Sequence, residues 1–230
     1  MIHQQRYDHE WEYDIVTDGM ERLRAYAGID DEEFGELVTD GLLTVDGDGP
    51  HTLYTVTADG RDVIDAAHRE GQAHGDGAGD LSESSTHVMF VEAMRRGFHS
   101  EFVEDADHPG TEVVTYHPVE KGRLDVAVLD DDGDVIVAGE AERSNNDTLR
   151  AVPDDYDKMA ACDPDRAIWV VEGRAEGHEV IRALHNAPDG DPRVDRTYED
   201  STALSNVSIE QPGFTEIFTI GTFRDQHLDV

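Results

Sequence analysis

Residues 122–142 decide the fold of the larger part of the chain: Gly-Arg-Leu-Asp-Val-Ala-Val-Leu-Asp-Asp-Asp-Gly-Asp-Val-Ile-Val-Ala-Gly-Glu-Ala-Glu. Two runs rich in apolar residues, Arg123 to Asp130 and Asp134 to Glu142, flank an acidic centre, which predicts two strands joined by a hairpin. Asp132-Gly133 is a favoured pair for a two-residue hairpin turn. With that turn, the numbers of directly opposed residues add up to 265.

This register gathers three carboxylates on one face of the hairpin. Asp125 falls opposite Glu140, and Arg123 falls opposite Glu142, which shares the face of Glu140 because it lies two residues further along. Opposed like charges destabilise a sheet, and a divalent cation would remove that cost. Oxygen ligands suit Mg²⁺ or Mn²⁺. The alternative is an acidic sheet face in contact with solvent.

The elements around the hairpin predict an α+β domain, a mixed sheet with helices on both faces, in the order αβββαβ. A linker over residues 73–86, small, polar and Gly-rich, separates this domain at 87–230 from a first domain at 1–72. The predicted elements are a helix at Ser85–Arg96, strands at Phe98–Glu104 and Glu112–His117, a helix at Leu149–Ala161, a strand at Arg166–Glu172, a helix at Glu176–His185 and a last strand at Phe214–Phe223.

The first domain shows a second ordered series. A helix at Trp11–Tyr26 precedes a helix that Asp30 or Asp31 caps and that runs through Asp40. A strand at Leu42–Val45, an Asp-Gly-Asp-Gly turn, a strand at Thr52–Thr57 and a helix at Asp59–Glu70 follow. This series resembles the winged-helix family over residues 12–70. The helix that usually reads DNA has five acids and no cation here, so a structural or protein-contact role is the alternative.

The hairpin and its flanking elements resemble the PD-(D/E)xK nuclease superfamily, also called restriction-endonuclease-like. The resemblance implies that Asp125 and Glu140 hold a metal ion, Mg²⁺ or Mn²⁺, and that the protein hydrolyses phosphodiester bonds in DNA. Glu142 stands where the family motif has Lys, and would be a further ligand or would orient the attacking water. Glu92 on the preceding helix is an additional candidate ligand. Leu124 stands where the motif has Pro.

A narrower resemblance links the chain to plasmid replication-relaxation proteins. It rests on the run from Glu140 through Arg143 to Asn146 and on Tyr156 and Lys158 of the next helix, after a winged helix. It implies a setting in plasmid or virus replication. The alternative to an enzyme is a non-catalytic DNA-binding regulator or assembly protein on a degenerate nuclease fold.

Composition limits these options. The 230 residues include 53 Asp and Glu against 18 Lys and Arg, a formal net charge of −35. A basic nucleic-acid binder and a polybasic membrane-surface protein are therefore excluded as descriptions of the whole chain. Asp predominates among the acids and only two of the cations are Lys, a composition that resembles cytosolic proteins of halophilic archaea. An acidic mesophilic protein is the alternative.

One cysteine, Cys162, and no long apolar segment predict a cytoplasmic protein with no membrane partner. Ten of the eighteen cations lie between Arg95 and Arg182, so we expect DNA to bind around the carboxylates. A homodimer contact or another protein contact is expected through the acidic winged helix. The candidate DNA-binding residues are Arg95, Arg96, Lys121, Arg123, Arg143 and Lys158.

Overall fold

The computed structural model divides the chain into two compact units, residues 1–92 and 93–230, which are described separately. The boundary follows the predicted linker and lies inside a helix at Ser85–Phe98. No helix among the described residues is long and apolar enough to span a membrane. The structure describes residues 15–17, 24–25, 27–46, 52–65, 73–74, 77–78, 85–104, 110–143 and 148–228.

In the N-terminal unit, helix α1 (Asp31–Thr39) begins at Asp30, whose carboxylate accepts hydrogen bonds from the N–H groups of Glu32 and Glu33. The Glu33 side chain in turn accepts the N–H of Asp30, which completes a capping box. The chain leaves the helix through Gly41, whose φ of +72° suits glycine. The predicted second helix and its cap are therefore confirmed.

A short hairpin follows α1. Strand β1 (Leu43–Asp46) pairs with β2 (Leu53–Val56), and helix α2 (Ala58–Val63) starts at Thr57, whose hydroxyl accepts the Gly60 N–H. Two-residue strands β3 (Ala73–His74) and β4 (Gly77–Ala78) pair beyond it. The helix predicted at Trp11–Tyr26, the Asp-Gly-Asp-Gly turn and the end of the helix predicted at Asp59–Glu70 fall largely outside the described residues. The winged-helix assignment stays a prediction.

The C-terminal unit contains a five-stranded mixed sheet in the order β5-β6-β7-β8-β9. The first three strands are antiparallel, and β8 and β9 run parallel to β7, so the chain crosses over after β7 and after β8. The elements are α3 (Ser85–Phe98), a π-helix (His99–Val103), β5 (Glu112–Val119), β6 (Gly122–Leu129), β7 (Val135–Glu142), α4 (Thr148–Ala160), β8 (Arg166–Val171), α5 (Arg174–His185), a 3₁₀ turn (Leu204–Asn206), β9 (Glu216–Thr219) and α6 (Ile220–His227).

Helices cover both faces of this sheet, as predicted. A side chain at Gly139 would meet Met94 and Phe98 of α3, whereas the adjacent Ala138 belongs to a core that includes Met159 of α4 and Ile181 of α5. Neighbouring residues of a strand point to opposite faces, so α3 packs on one face and α4 and α5 pack on the other. The site described below lies on the α4 face.

One predicted strand is wrong and another is wrong in part. Residues 98–104, expected as a strand, extend α3 and form the π-helix, because Phe98 and Phe102 turn inward and pack edge-to-face. The segment predicted as a strand at Phe214–Phe223 is extended only at β9, and Thr219 then caps α6 through the Thr222 N–H. In both segments the apolar residues were interpreted as a strand, and packing selected a helix.

Close packing at Gly213 provides a test of this core. A side chain at Gly213 would approach the backbone oxygen of Tyr156 to 2.5 Å, and the Gly213 carbonyl accepts the Trp169 Nε1–H at 2.9 Å. We expect Gly213→Ala to lower the free energy of unfolding by about 1–3 kcal/mol, because the backbone must shift to admit the methyl group. Urea unfolding in molar KCl measures the change.

The matched control is Gly221→Ala in α6, where the nearest atom to the new methyl group is 3.9 Å away. Alanine favours a helix over glycine, so this variant should keep or raise the stability. Equal stabilities of the two variants would contradict the close contact at Gly213.

Candidate functional site

The pairing of β6 with β7 follows the register expected from the sequence. Val126 pairs with Gly139, Ala127 with Ala138 and Val128 with Val137. The predicted two-residue turn is wrong. The Asp130 N–H donates to the Asp134 oxygen and the Gly133 N–H donates to the Asp130 oxygen, so the loop has three residues, with Gly133 at φ +84°.

A β-bulge corrects the offset that this longer loop introduces. Leu129 pairs with Val135 rather than with residue 136, and the register shifts between Val128 and Leu129. The loop is one residue longer than predicted and the bulge shifts the register by one residue, so the two differences cancel. The three paired positions closest to the acids are therefore those that the sequence predicted.

The ladder between β6 and β7 ends one residue before the acids, although both strands continue. Among the described residues the last pair is Val126 with Gly139, so the expected pairing of Arg123 with Glu142 is not formed. Carboxylates replace the missing backbone pairs. The Ala141 N–H donates to Asp125 Oδ2 at 2.9 Å, and the Asp125 N–H donates to Glu140 Oε1 at 3.3 Å.

The ladder on the other side of Asp125 is interrupted as well. Thr115 pairs with Val126 and His117 with Leu124, but Tyr116, which lies between them, has a φ of +54°. Left-handed backbone is costly for a buried aromatic residue in a strand. Asp125 thus lies where the backbone pairing of β6 is interrupted on both sides.

Helix α4 brings two further charged side chains to these acids. Lys158 Nζ lies 2.9 Å from Glu140 Oε1 and 2.8 Å from Asp155 Oδ1, one turn earlier on the same helix. Asp155 also lies close enough to Glu142 to raise the pKa of that side chain. We call Asp125, Glu140, Glu142, Asp155 and Lys158 the carboxylate cluster.

Burial and mutual repulsion shape the charges of this cluster. Burial raises the pKa of Glu140 well above its usual value, Asp125 raises it further, and Lys158 opposes both. Burial and then the charge and hydrogen bond of Asp155 raise the pKa of Glu142. Burial alone would lower the pKa of Lys158, but the charges of Glu140 and Asp155 outweigh it and raise the pKa above its usual value.

A second group of charged side chains shows that partial burial alone does not raise the pKa of a glutamate. Glu101 of the π-helix contacts Arg166 of β8 and His227 of α6, with 2.8 Å to His227 Nδ1. The hydrogen bond with His227, together with Arg166, lowers the pKa of Glu101 to about 2 although the residue is partly buried. In the carboxylate cluster, by contrast, burial and the neighbouring acids outweigh Lys158, so the pKa values of Glu140 and Glu142 are raised.

Buried acidic side chains are therefore the defining property of the carboxylate cluster. Glu140 is 3% exposed, and Glu142 and Lys158 are each 8% exposed. Removing a carboxylate from water costs several kcal/mol, and a bound proton or cation offsets this cost. Carboxylate oxygens are the donors that Mg²⁺ and Mn²⁺ prefer. In the part of the chain that the structure describes, no three His, Cys, Asp or Glu side chains are arranged as a metal-binding group.

The structure places the other candidate residues as follows. Arg95 and Arg96 are half-buried in the last turn of α3, and Glu92 is half-buried one turn earlier. Lys121 is exposed in the turn between β5 and β6. Arg123 stacks over the Tyr116 ring, with 5.4 Å from Cζ to the ring centroid. Arg143, also half-buried, directly follows β7.

Lys158 is the residue whose place the sequence reading missed. It was a candidate DNA contact, and the structure buries it among the acids. Asp155 was not singled out at all. The rarity of lysine, two residues against sixteen arginines, and the spacing of Asp155 and Lys158 by three residues on a helix could have pointed to the pair.

In comparisons with known proteins, no family model, no curated protein and no solved structure matches the chain.

The raised pKa of Glu142 predicts how stability depends on pH. The folded protein holds the Glu142 proton in a pH range where an unfolded glutamate, with a pKa of 4.5, has released it. Folding stability contributed by this group therefore falls as pH rises above that value. We expect Glu142→Gln to raise the free energy of unfolding at about pH 8 by about 1 kcal/mol.

Urea unfolding in EDTA across this pH range measures the effect, and the variant should show a weaker fall with pH. The matched control is Glu199→Gln, which removes the same charge at an exposed position. If Glu142→Gln is less stable than the unchanged protein at alkaline pH, the raised pKa of Glu142 is contradicted.

Proposed function

We propose that the C-terminal unit is a metal-dependent deoxyribonuclease of the PD-(D/E)xK type that cleaves or nicks DNA with Mg²⁺ or Mn²⁺. The observation that carries the proposal is the contact between Lys158 Nζ and Glu140 Oε1 at 2.9 Å. The motif strand ends in Glu-Ala-Glu and has no lysine. Helix α4 supplies a lysine to the same acids, which compensates for the departure from the motif.

The donor set fits a divalent cation in its chemistry. Asp125 and Glu140 come from adjacent strands at the point where backbone pairing stops, and their charges repel each other. These two residues would hold the metal, with Glu142 as a further ligand or as the group that orients water. Glu92, expected as an additional ligand, lies on α3, which packs on the opposite face of the sheet. When bound, the ion would stabilise negative charge on the scissile phosphate and promote ionisation of water.

The residues of the chain would perform the remaining tasks. The Ala141 N–H fixes the direction of Asp125, and Lys158 fixes the direction of Glu140. The ammonium group of Lys158 would also attract a phosphate oxygen, because it is the positive charge next to the proposed ligands.

DNA is the proposed substrate. Cationic side chains, which are few in this acidic chain, would bind it around the carboxylate cluster. Lys121 is exposed at the β5–β6 turn, and the Arg123 guanidinium is held over Tyr116. Together with the halophilic composition, the proposal places the protein in the cytoplasm of a halophilic archaeon, in plasmid or virus replication. The acidic N-terminal unit would then contact a protein or a second copy.

A non-catalytic regulator or assembly protein on a degenerate nuclease fold is the second candidate. The observation that favours it is the depth of the cluster, since Glu140 is 3% exposed and already paired with Lys158. A buried ion pair can persist without catalysis because removal of either partner is destabilising.

One assay separates the two candidates. The full chain is incubated with supercoiled plasmid in molar KCl with Mg²⁺ or Mn²⁺, and nicked DNA is measured. We expect cleavage that Glu140→Gln slows by about 100-fold or more, because the carboxylate oxygen is lost as a ligand. Glu199→Gln, the same change at an exposed loop position, serves as the control.

Absence of cleavage by the unchanged protein, together with absence of Mn²⁺ binding by calorimetry, would overturn the nuclease proposal and leave the regulator. Cleavage that Glu140→Gln leaves intact would place the active site elsewhere.

A further inference from the structure

We propose that Lys158 is an internal counter-ion that competes with a divalent cation for Glu140, and that this lysine thereby weakens metal binding by the carboxylate cluster. The inference rests on the proposed metal site and concerns its regulation. It gives Lys158 a task in the metal-free protein that is separate from any contact with DNA.

The competition follows from the atoms that share one oxygen. Glu140 Oε1 accepts both the Lys158 ammonium at 2.9 Å and the Asp125 N–H at 3.3 Å. A metal ion bound to this oxygen would use the lone pairs that accept these two contacts. Two cations close together at one carboxylate also repel each other strongly where water is scarce.

Scarcity of water is a property of this position. The side chains of Lys158 and Glu140 are 10% and 4% exposed. Screening by salt is weak for buried pairs, so even the high ionic strength of a halophilic cytoplasm would not remove the competition. Surface lysines lack this effect because solvent and ions screen them.

Helix α4 also offers Lys158 an alternative partner. Asp155 Oδ1 lies 2.8 Å from the same ammonium, three residues earlier on the helix. When Glu140 turns to a metal ion, Lys158 keeps this bond and need not leave the cluster. Metal binding is therefore an exchange of partners, with the charge of Lys158 retained beside the proposed substrate phosphate.

Loss of Lys158 should change two measured quantities in opposite directions. The acids would lack their internal cation, so we expect Lys158→Met to bind Mn²⁺ at least about tenfold more tightly than the unchanged protein. Plasmid cleavage should fall at the same time, because the ammonium beside the phosphate is gone. A variant damaged only in its folding would lose both.

The experiment is titration calorimetry of the full chain with Mn²⁺ in molar KCl at about pH 8, because an alkaline pH favours ionised ligands in acids whose pKa is raised. Lys121→Met is the matched control, because it removes the other lysine of the chain at an exposed position. Its Mn²⁺ affinity should equal that of the unchanged protein.

Lys158→Gln is the second variant, since its amide still donates hydrogen bonds to Glu140 and Asp155 without the charge. It should also bind Mn²⁺ more tightly. Thermal unfolding with and without Mn²⁺ provides a second readout, and the shift in melting temperature should be larger for both variants than for the unchanged protein.

The outcomes separate this inference from the proposed function. Equal Mn²⁺ affinity in the unchanged protein and in both Lys158 variants would overturn the competition but leave the metal site. Weaker binding in both variants would also overturn it, because the lysine would then support the site. No Mn²⁺ binding by any of the proteins would overturn the inference and the metal-dependent nuclease together.

Discussion

Lys158 contacts Glu140 and Asp155 near the point where the backbone pairing of β6 and β7 ends, and the arrangement around this ammonium determines the character of the C-terminal unit. Its contact with Glu140 joins the sheet to α4, the helix that carries both Asp155 and Lys158. Burial raises the pKa of Glu140 and Glu142, the neighbouring acids raise it further, and Lys158 offsets only part of this effect. Glu101 is partly buried as well, but its hydrogen bond with His227 and its contact with Arg166 lower its pKa. Burial and the charges of the neighbouring side chains together decide the direction of each shift.

The regular backbone pairing of the sheet is interrupted at this cluster. Asp125 and Glu140 use side-chain oxygens to satisfy the N–H groups of Ala141 and Asp125, which a continuous ladder would have satisfied with carbonyl groups. On the other side, Tyr116 adopts a left-handed backbone inside a strand. Such departures from regular structure are destabilising, and they are concentrated at the same residue, Asp125. This concentration supports a functional origin for the cluster over an acidic sheet face in solvent.

Much of the fold could be predicted from local patterns. The three central strands, the helices α4 and α5 and the capped helix α1 were expected within a few residues, because alternation, apolar runs and caps depend on near neighbours. The register of the three pairs that precede the acids was also right, although a three-residue turn and a β-bulge replaced the predicted two-residue turn and the ladder ends before Asp125 and Glu140. The strand expected at residues 98–104 was wrong, since packing of Phe98 and Phe102 favours a helical path there.

The sequence by itself determined the mixed α+β fold of the larger unit, its acidic character and the approach of Asp125 to Glu140, because strand periodicity and one hairpin carry that information. Only the tertiary structure decided that Lys158 and Asp155 join these acids. They belong to a helix that follows β7 across a connection whose path no local pattern specifies, and the helix face that meets the sheet is selected by packing of the whole core. The charge of the cluster, and with it the proposed chemistry, depends on that choice.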